Sequence, residues 1–151
     1  MVNQYRIWGH IMKKLIILFL IYLFITCSGE NKKDFNLEVF EDAMKDKGYN
    51  FEIQDANQDF LPTTRKRMLM DDIVIDIYIF KSNKEMEREA SNIGIGGSYN
   101  NGRKAINVSW VSVPHFYKKG RLIIQYIGEN ESIISDLTEI LGEQFAGHIS
   151  S

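Results

Sequence analysis

The sequence has one cysteine, two prolines and three histidines among 151 residues. The low counts of cysteine and histidine exclude disulfides within the chain and argue against a metal site. A single cysteine excludes a disulfide within the chain, so the fold must be held by its hydrophobic core. So few histidines and cysteines cannot supply the converging ligands that zinc or iron needs, and we expect no metal site and no cofactor. No apolar run approaches the length of about 18 residues that is typical of a membrane-spanning helix.

The longest apolar run covers residues 15–25 and follows two lysines. As an α-helix it would be about 17 Å long, whereas the hydrocarbon core of a bilayer is about 30 Å thick. A basic start, a short apolar centre and small residues behind it are typical of an export signal. We therefore predict a signal peptide over residues 12–26 with Met12 as the true start, and residues 1–11 as a mis-called extension.

The chain's one cysteine, Cys27, stands just behind this run. A lone cysteine at this place resembles the lipobox of bacterial lipoproteins, in which the sulfur is acylated and the cysteine becomes the mature N-terminus. The resemblance implies acyl chains on Cys27 that hold the protein at the outer, extracytoplasmic face of the cell membrane. Phe24, Ile25 and Thr26 depart from the usual leucine, small residue, and glycine or alanine. Two alternatives stay open, namely an uncleaved single-pass anchor and ordinary cleavage near Ser28.

The exported part, residues 27–151, carries 15 basic and 20 acidic side chains, a net charge of −5. This charge argues against nucleic acid as a partner, because binding to phosphates depends on lysine and arginine. It also argues against electrostatic binding of a polybasic segment to anionic lipid. Acyl chains are then the means of membrane attachment that we expect. Residues 27–34 are predicted to be a polar tether, residues 35–147 a single domain and residues 148–151 a tail.

Residue spacing over the domain predicts an α+β fold. Apolar residues at helical spacing behind a capping residue predict three helices, which begin after Asp34 or Asn36, after Ser82 and after Asn130. Period-two alternation and apolar runs predict strands over residues 49–54, 65–70, 73–81, 105–113 and 121–127. We expect two layers, a mostly antiparallel sheet of about five strands with the helices over one face.

Residues 113–120 are the most distinctive stretch, with one histidine, two aromatic residues and two lysines between predicted strands. The stretch could be a recognition tip in which His115 titrates near neutral pH and Phe116 and Tyr117 contact a partner. The alternative, which we favour, is a wide hairpin bend with one aromatic side chain folded into the core.

Asp76 is the charged residue on an otherwise apolar strand face. It could pair with Arg65 or Arg67 of the neighbouring strand. If it instead lines a cleft with Tyr78, it is the best single candidate for a polar ligand contact. No serine stands in a nucleophile elbow, so no catalytic residue is predicted. The tentative contact residues are Asp76, Tyr78, His115, Phe116 and Tyr117.

The segments PHFYKK at 114–119 and LIIQY at 122–126, with residues 78–82 before an acidic helix, resemble small lipoproteins of Gram-positive, Bacillus-like bacteria. That family has no assigned activity, so the resemblance implies a location and a domain type but transfers no catalytic residue. We expect a membrane-tethered, non-catalytic binding or accessory domain with an envelope protein as its candidate partner. The alternative is a cell-envelope hydrolase that uses Asp76 or His115. The sequence does not indicate an oligomeric state.

Overall fold

The computed structural model describes residues 34–147. The predicted N-terminal extension, the signal peptide, Cys27 with most of the tether, and the tail lie outside these residues. Among the described residues, no helix has both the length and the apolar character needed to cross a membrane.

The described part of the chain contains three helices and eight strands. The helices are α1 (Leu37–Asp46), α2 (Asn83–Ala90) and α3 (Glu131–Leu141). The strands are β1 (Glu52–Ala56), β2 (Thr64–Met70), β3 (Ile73–Ile79), β4 (Tyr99–Asn100), β5 (Ala105–Ile106), β6 (Pro114–Lys119), β7 (Leu122–Ile127) and β8 (Ala146–Gly147). Six strands form one antiparallel sheet in the order β1, β2, β3, β7, β6, β8, and β4 pairs with β5 separately. The α+β class is confirmed.

Each helix begins behind a predicted capping residue. The Asn36 side chain accepts a hydrogen bond from the Val39 amide at 3.1 Å, and the Ser82 hydroxyl accepts one from the Glu85 amide at 3.2 Å. Asn130 accepts from two amides of α3. These bonds satisfy amides that have no partner within the helix, which is why a short polar side chain at this position starts a helix.

The sheet carries helices on both faces, so the expected arrangement of two layers with all helices on one side is wrong. Helices α1 and α3 pack on the face that presents Ile75, Ile77 and Tyr117. Helix α2 packs on the opposite face, which presents Tyr78 and Phe116. Successive side chains of a strand point to opposite faces, and in β3 both alternating sets are largely apolar. Each face of the sheet therefore needs a helix that buries its apolar side chains.

The strand predictions hold for β2, β3 and β7 but fail around residue 110. The predicted strand over residues 105–113 shrinks to Ala105–Ile106, and the predicted first strand shifts to Glu52–Ala56. The predicted bend at residues 114–120 is instead strand β6, which lies between β7 and β8. Pro114 opens this strand, a position that tolerates proline, and the residues after it bury side chains on both faces.

Candidate functional site

The five predicted contact residues lie on two different faces of the sheet. Asp76, Tyr78 and Phe116 point to the α2 face, whereas His115 and Tyr117 point to the α1/α3 face. All five are buried, and the most exposed of them, Asp76, is 7% exposed. The hypothesis of a recognition tip at residues 115–117 is therefore wrong, because these side chains are part of the two cores.

Asp76 is bound by two arginines of the adjacent strand β2. The Arg65 guanidinium donates to the two carboxylate oxygens from Nε at 3.0 Å and from Nη2 at 2.7 Å. Arg67 donates from Nε to Oδ1 at 3.0 Å. Two parallel bonds from one guanidinium are among the strongest polar contacts between side chains. The pairing predicted from the sequence is confirmed, and it involves both arginines.

The same cluster continues through Asp59 and Tyr78. Arg65 Nη1 lies 3.0 Å from Asp59 Oδ2, and the Tyr78 hydroxyl is 2.9 Å from that oxygen and 3.0 Å from Gln125 Oε1. Burial, followed by the charges of the two carboxylates, raises the pKa of Tyr78 well above its usual range. The hydroxyl therefore stays protonated at neutral pH. With Asp76 held by three N–H groups, neither side chain is free to act as a base.

His115 lies on the other side of the sheet. Its ring stacks on Tyr126 with 5.9 Å between centroids and an angle of 18°. Nε2 lies 3.0 Å from the carbonyl oxygen of Gly128, to which it can donate, and Nδ1 lies 2.9 Å from the side-chain amide of Gln144. The imidazole ties β6 to the segments after β7 and α3. A hydrolase site that joins it to Asp76 is not formed in this arrangement.

Residues 34–147 include three surface clefts, and none of these three is lined by Asp76, Tyr78 or His115. The first, about 420 Å³, lies beside the start of β6 and is lined by residues that include Trp110 and Glu129. The second, about 540 Å³, lies where the described chain begins. The third, about 410 Å³, lies near the end of β1. Among the described residues no three histidine, cysteine or carboxylate side chains converge as metal ligands would.

The cleft beside the start of β6, here called the Trp110 cleft, has two exposed apolar residues next to its lining residues in the sequence. Ile95 is 74% exposed and Val111 is 96% exposed, and each adjoins a lining residue in sequence. The Trp110 indole donates to the carbonyl oxygen of Gly96 at 3.1 Å, which joins the two loops that form the cleft. This cleft was not predicted, because Trp110 falls within the strand predicted over residues 105–113, which the structure limits to Ala105–Ile106.

No protein family matches the chain, and neither a curated protein nor a solved structure is significantly similar to it. The contacts, burial and charges of the described residues therefore carry the functional argument, together with the N-terminal sequence pattern.

Proposed function

We propose that the chain is a lipoprotein held at the outer face of the cell membrane by acyl chains on Cys27. The basic start, the short apolar run and the cysteine behind it support this proposal, as does the resemblance to small lipoproteins of Bacillus-like bacteria. An apolar run too short to span a bilayer easily favours cleavage and acylation over an uncleaved anchor.

Its α+β domain is, in this proposal, a non-catalytic binding or accessory module. The ion pairs of Asp76 are the main support for a non-catalytic role. Asp76 is the best candidate for a polar ligand contact, and its two carboxylate oxygens are bound by Arg65 and Arg67. A buried carboxylate that accepts three N–H bonds stabilises the fold and is not positioned to take a proton from a substrate. The same holds for His115, which has both ring nitrogens engaged.

The Trp110 cleft is the surface that best fits an envelope protein as partner. The Trp110 indole and Pro114 supply apolar area in the cleft, Glu129 and Ser112 supply polar atoms, and the exposed Ile95 and Val111 stand next to lining residues in the sequence. Interfaces between proteins combine an apolar centre of this kind with a polar rim. Ile95 and Val111 would add apolar area to a partner seated on the cleft, because their side chains are largely exposed.

Metabolic labelling with a clickable fatty acid tests the anchor. The wild-type chain should take up label and fractionate with membranes, and Cys27→Ala should lose the label. Ser28→Ala is the matched control, since it changes the neighbouring residue and leaves the sulfur in place. Label that persists in Cys27→Ala, or a wild-type chain that is unlabelled and found in the cytosol, would refute the proposal.

Affinity capture of the membrane-bound protein tests the binding surface. Val111→Asp should reduce the recovery of a specific envelope protein at least tenfold, because it puts a charge in place of an exposed apolar side chain between the lining residues Trp110 and Ser112. Ser109→Asp, an exposed neighbour with the same added charge, should leave recovery unchanged. Equal recovery with both variants would show that the cleft does not bind the partner.

A further inference from the structure

The strands of the sheet carry opposite charges at their two ends. Strands β3 and β6 end where β7 begins, because β7 is antiparallel to both. This arrangement gathers cations that are far apart in sequence, and the first turn of α2 adds one more. We call this group the basic end; its members are Lys81, Lys84, Lys118, Lys119 and Arg121.

The opposite ends of the same sheet are acidic. Glu52 begins β1, Asp71 and Asp72 form the turn between β2 and β3, and Glu129 follows β7. Strands of six residues separate the two groups by roughly 17 Å. The net charge of −5 conceals this separation. The sequence-based argument against contact with anionic lipid therefore holds for the average surface but not for the basic end.

The described chain starts at the basic end. Asp34 and Phe35 line the cleft of about 540 Å³ together with Lys81 and Arg121. The Phe35 backbone is seated against Gly120 so closely that a Cβ at Gly120 would lie 2.1 Å from the Phe35 carbonyl oxygen. Phe35, the first residue after the tether, is thus packed beside the cations of the basic end.

Several of these cations are available to an outside anion. Lys81, Lys84 and Arg121 are exposed and form no ion pair with another residue in the range 34–147. Lys118, in contrast, is paired with Glu87. Three acids lie close to these five cations, namely Asp34 in the cleft, Glu85 beside the Lys81 backbone and Glu87 paired with Lys118, so the group keeps a net positive charge.

We propose that the basic end rests on anionic lipid headgroups and orients the domain, so that the acidic end and the Trp110 cleft face away from the membrane. This inference rests on the proposed function, because acylation at Cys27 is what brings the domain to the bilayer. Residues 28–34 reach at most about 25 Å, which keeps the basic end near the surface. Each lysine or arginine close to an anionic membrane favours contact by about fivefold.

Hydrogen exchange of the full-length acylated chain tests the orientation. The chain is reconstituted in vesicles of phosphatidylcholine alone or with one third phosphatidylglycerol. We expect the amides of residues 82–84 and 120–121 to exchange at least threefold more slowly in the anionic vesicles. The difference should vanish in high salt, which screens contacts with the surface.

Charge reversal supplies the matched comparison. Lys84→Glu with Arg121→Glu should abolish the slowed exchange, whereas Arg103→Glu with Lys104→Glu, an equal charge change in the loop of the β4–β5 hairpin, should preserve it. A circular dichroism spectrum like that of the wild type shows that each double variant is folded. Slowed exchange that survives reversal at 84 and 121, or equal exchange in both kinds of vesicle, would overturn the proposed orientation.

The mass of the Cys27 peptide in the same sample separates the two proposals. An acylated chain whose exchange does not respond to anionic lipid overturns the orientation and leaves the anchor intact. An unmodified cysteine overturns the anchor and the orientation with it.

Discussion

Asp76→Asn should be among the most destabilising single substitutions of a polar residue in the described domain. The substitution retains the shape of the side chain but removes the charge that both Arg65 and Arg67 bind. The Asp76 side chain is 9% exposed and that of Arg65 is 11% exposed, so water cannot replace the lost carboxylate. A nearly buried guanidinium would be left with Asp59 as its remaining acidic partner.

The magnitude follows from burial. Removing one partner of a buried ion pair costs about 3–5 kcal/mol of unfolding free energy. We expect a value near the lower limit, about 3 kcal/mol, because asparagine retains one acceptor oxygen and Asp59 still faces Arg65. With a urea dependence of about 1.5 kcal/mol per molar, the unfolding midpoint should fall by about 2 M.

The assay is urea unfolding of the purified chain followed by circular dichroism, and Asp55→Asn is the matched control. Asp55 also bridges two neighbouring strands, through Lys66 at 2.6 Å, but its side chain is 87% exposed. An exposed pair of this kind contributes about 0–1 kcal/mol, so the control should shift the midpoint by less than about 0.7 M. A loss for Asp76→Asn no larger than that for Asp55→Asn would refute the argument from burial.

Three further predictions address the core, the pH dependence of stability and the contact between Phe35 and Gly120. Phe116→Ala should lower the free energy of unfolding in urea by about 3–5 kcal/mol, because the Phe116 ring is wholly buried. Val111→Ala should lower it by less than about 0.5 kcal/mol, because the Val111 side chain is exposed. Equal losses would contradict the burial of strand β6. A hydrogen bond from Tyr49, followed by a neighbouring lysine, lowers the pKa of Asp136, so its stabilisation is present above the unfolded pKa of about 4 and is lost as the pH falls through the folded pKa. Asp136→Asn should flatten that acid limb in unfolding curves measured from pH 6 to 2, and an unchanged limb would exclude this carboxylate as its source. Gly120→Ala should lower the thermal midpoint markedly, because φ is +58° and the added methyl group meets the Phe35 carbonyl oxygen at 2.1 Å; an unchanged midpoint would show that Phe35 does not pack against Gly120 in this way.

Local patterns explain which features were predictable from the sequence. The hydrogen bonds of Asn36, Ser82 and Asn130 reach at most three residues along the chain, so the helix starts are visible in short segments. The contact between Asp76 and the two arginines is also local, because a two-residue turn makes β2 and β3 adjacent strands. Neither prediction required knowledge of distant parts of the chain.

The candidate contact residues were harder to place because their environment is set by distant segments. His115 and Phe116 look like exposed loop residues when only their neighbours in sequence are considered. In the fold they pair with β7 on one side and with β8 on the other, about 30 residues later in the chain. The two groups that contact the His115 ring nitrogens also come from distant segments; they are the Gln144 side chain and the Gly128 carbonyl.

The sequence by itself determined the α+β class, the three helix starts, the central strands and the N-terminal pattern that suggests export, since each depends on residues within a few positions of one another. The tertiary structure decided that helices cover both faces, that the aromatic stretch at 115–117 is buried and that cations collect where the chain enters the domain. These features arise from pairing between segments far apart in sequence. Antiparallel pairing brings the end of one strand beside the start of another, so charge and burial at the ends of the sheet depend on strand order, which local spacing does not encode.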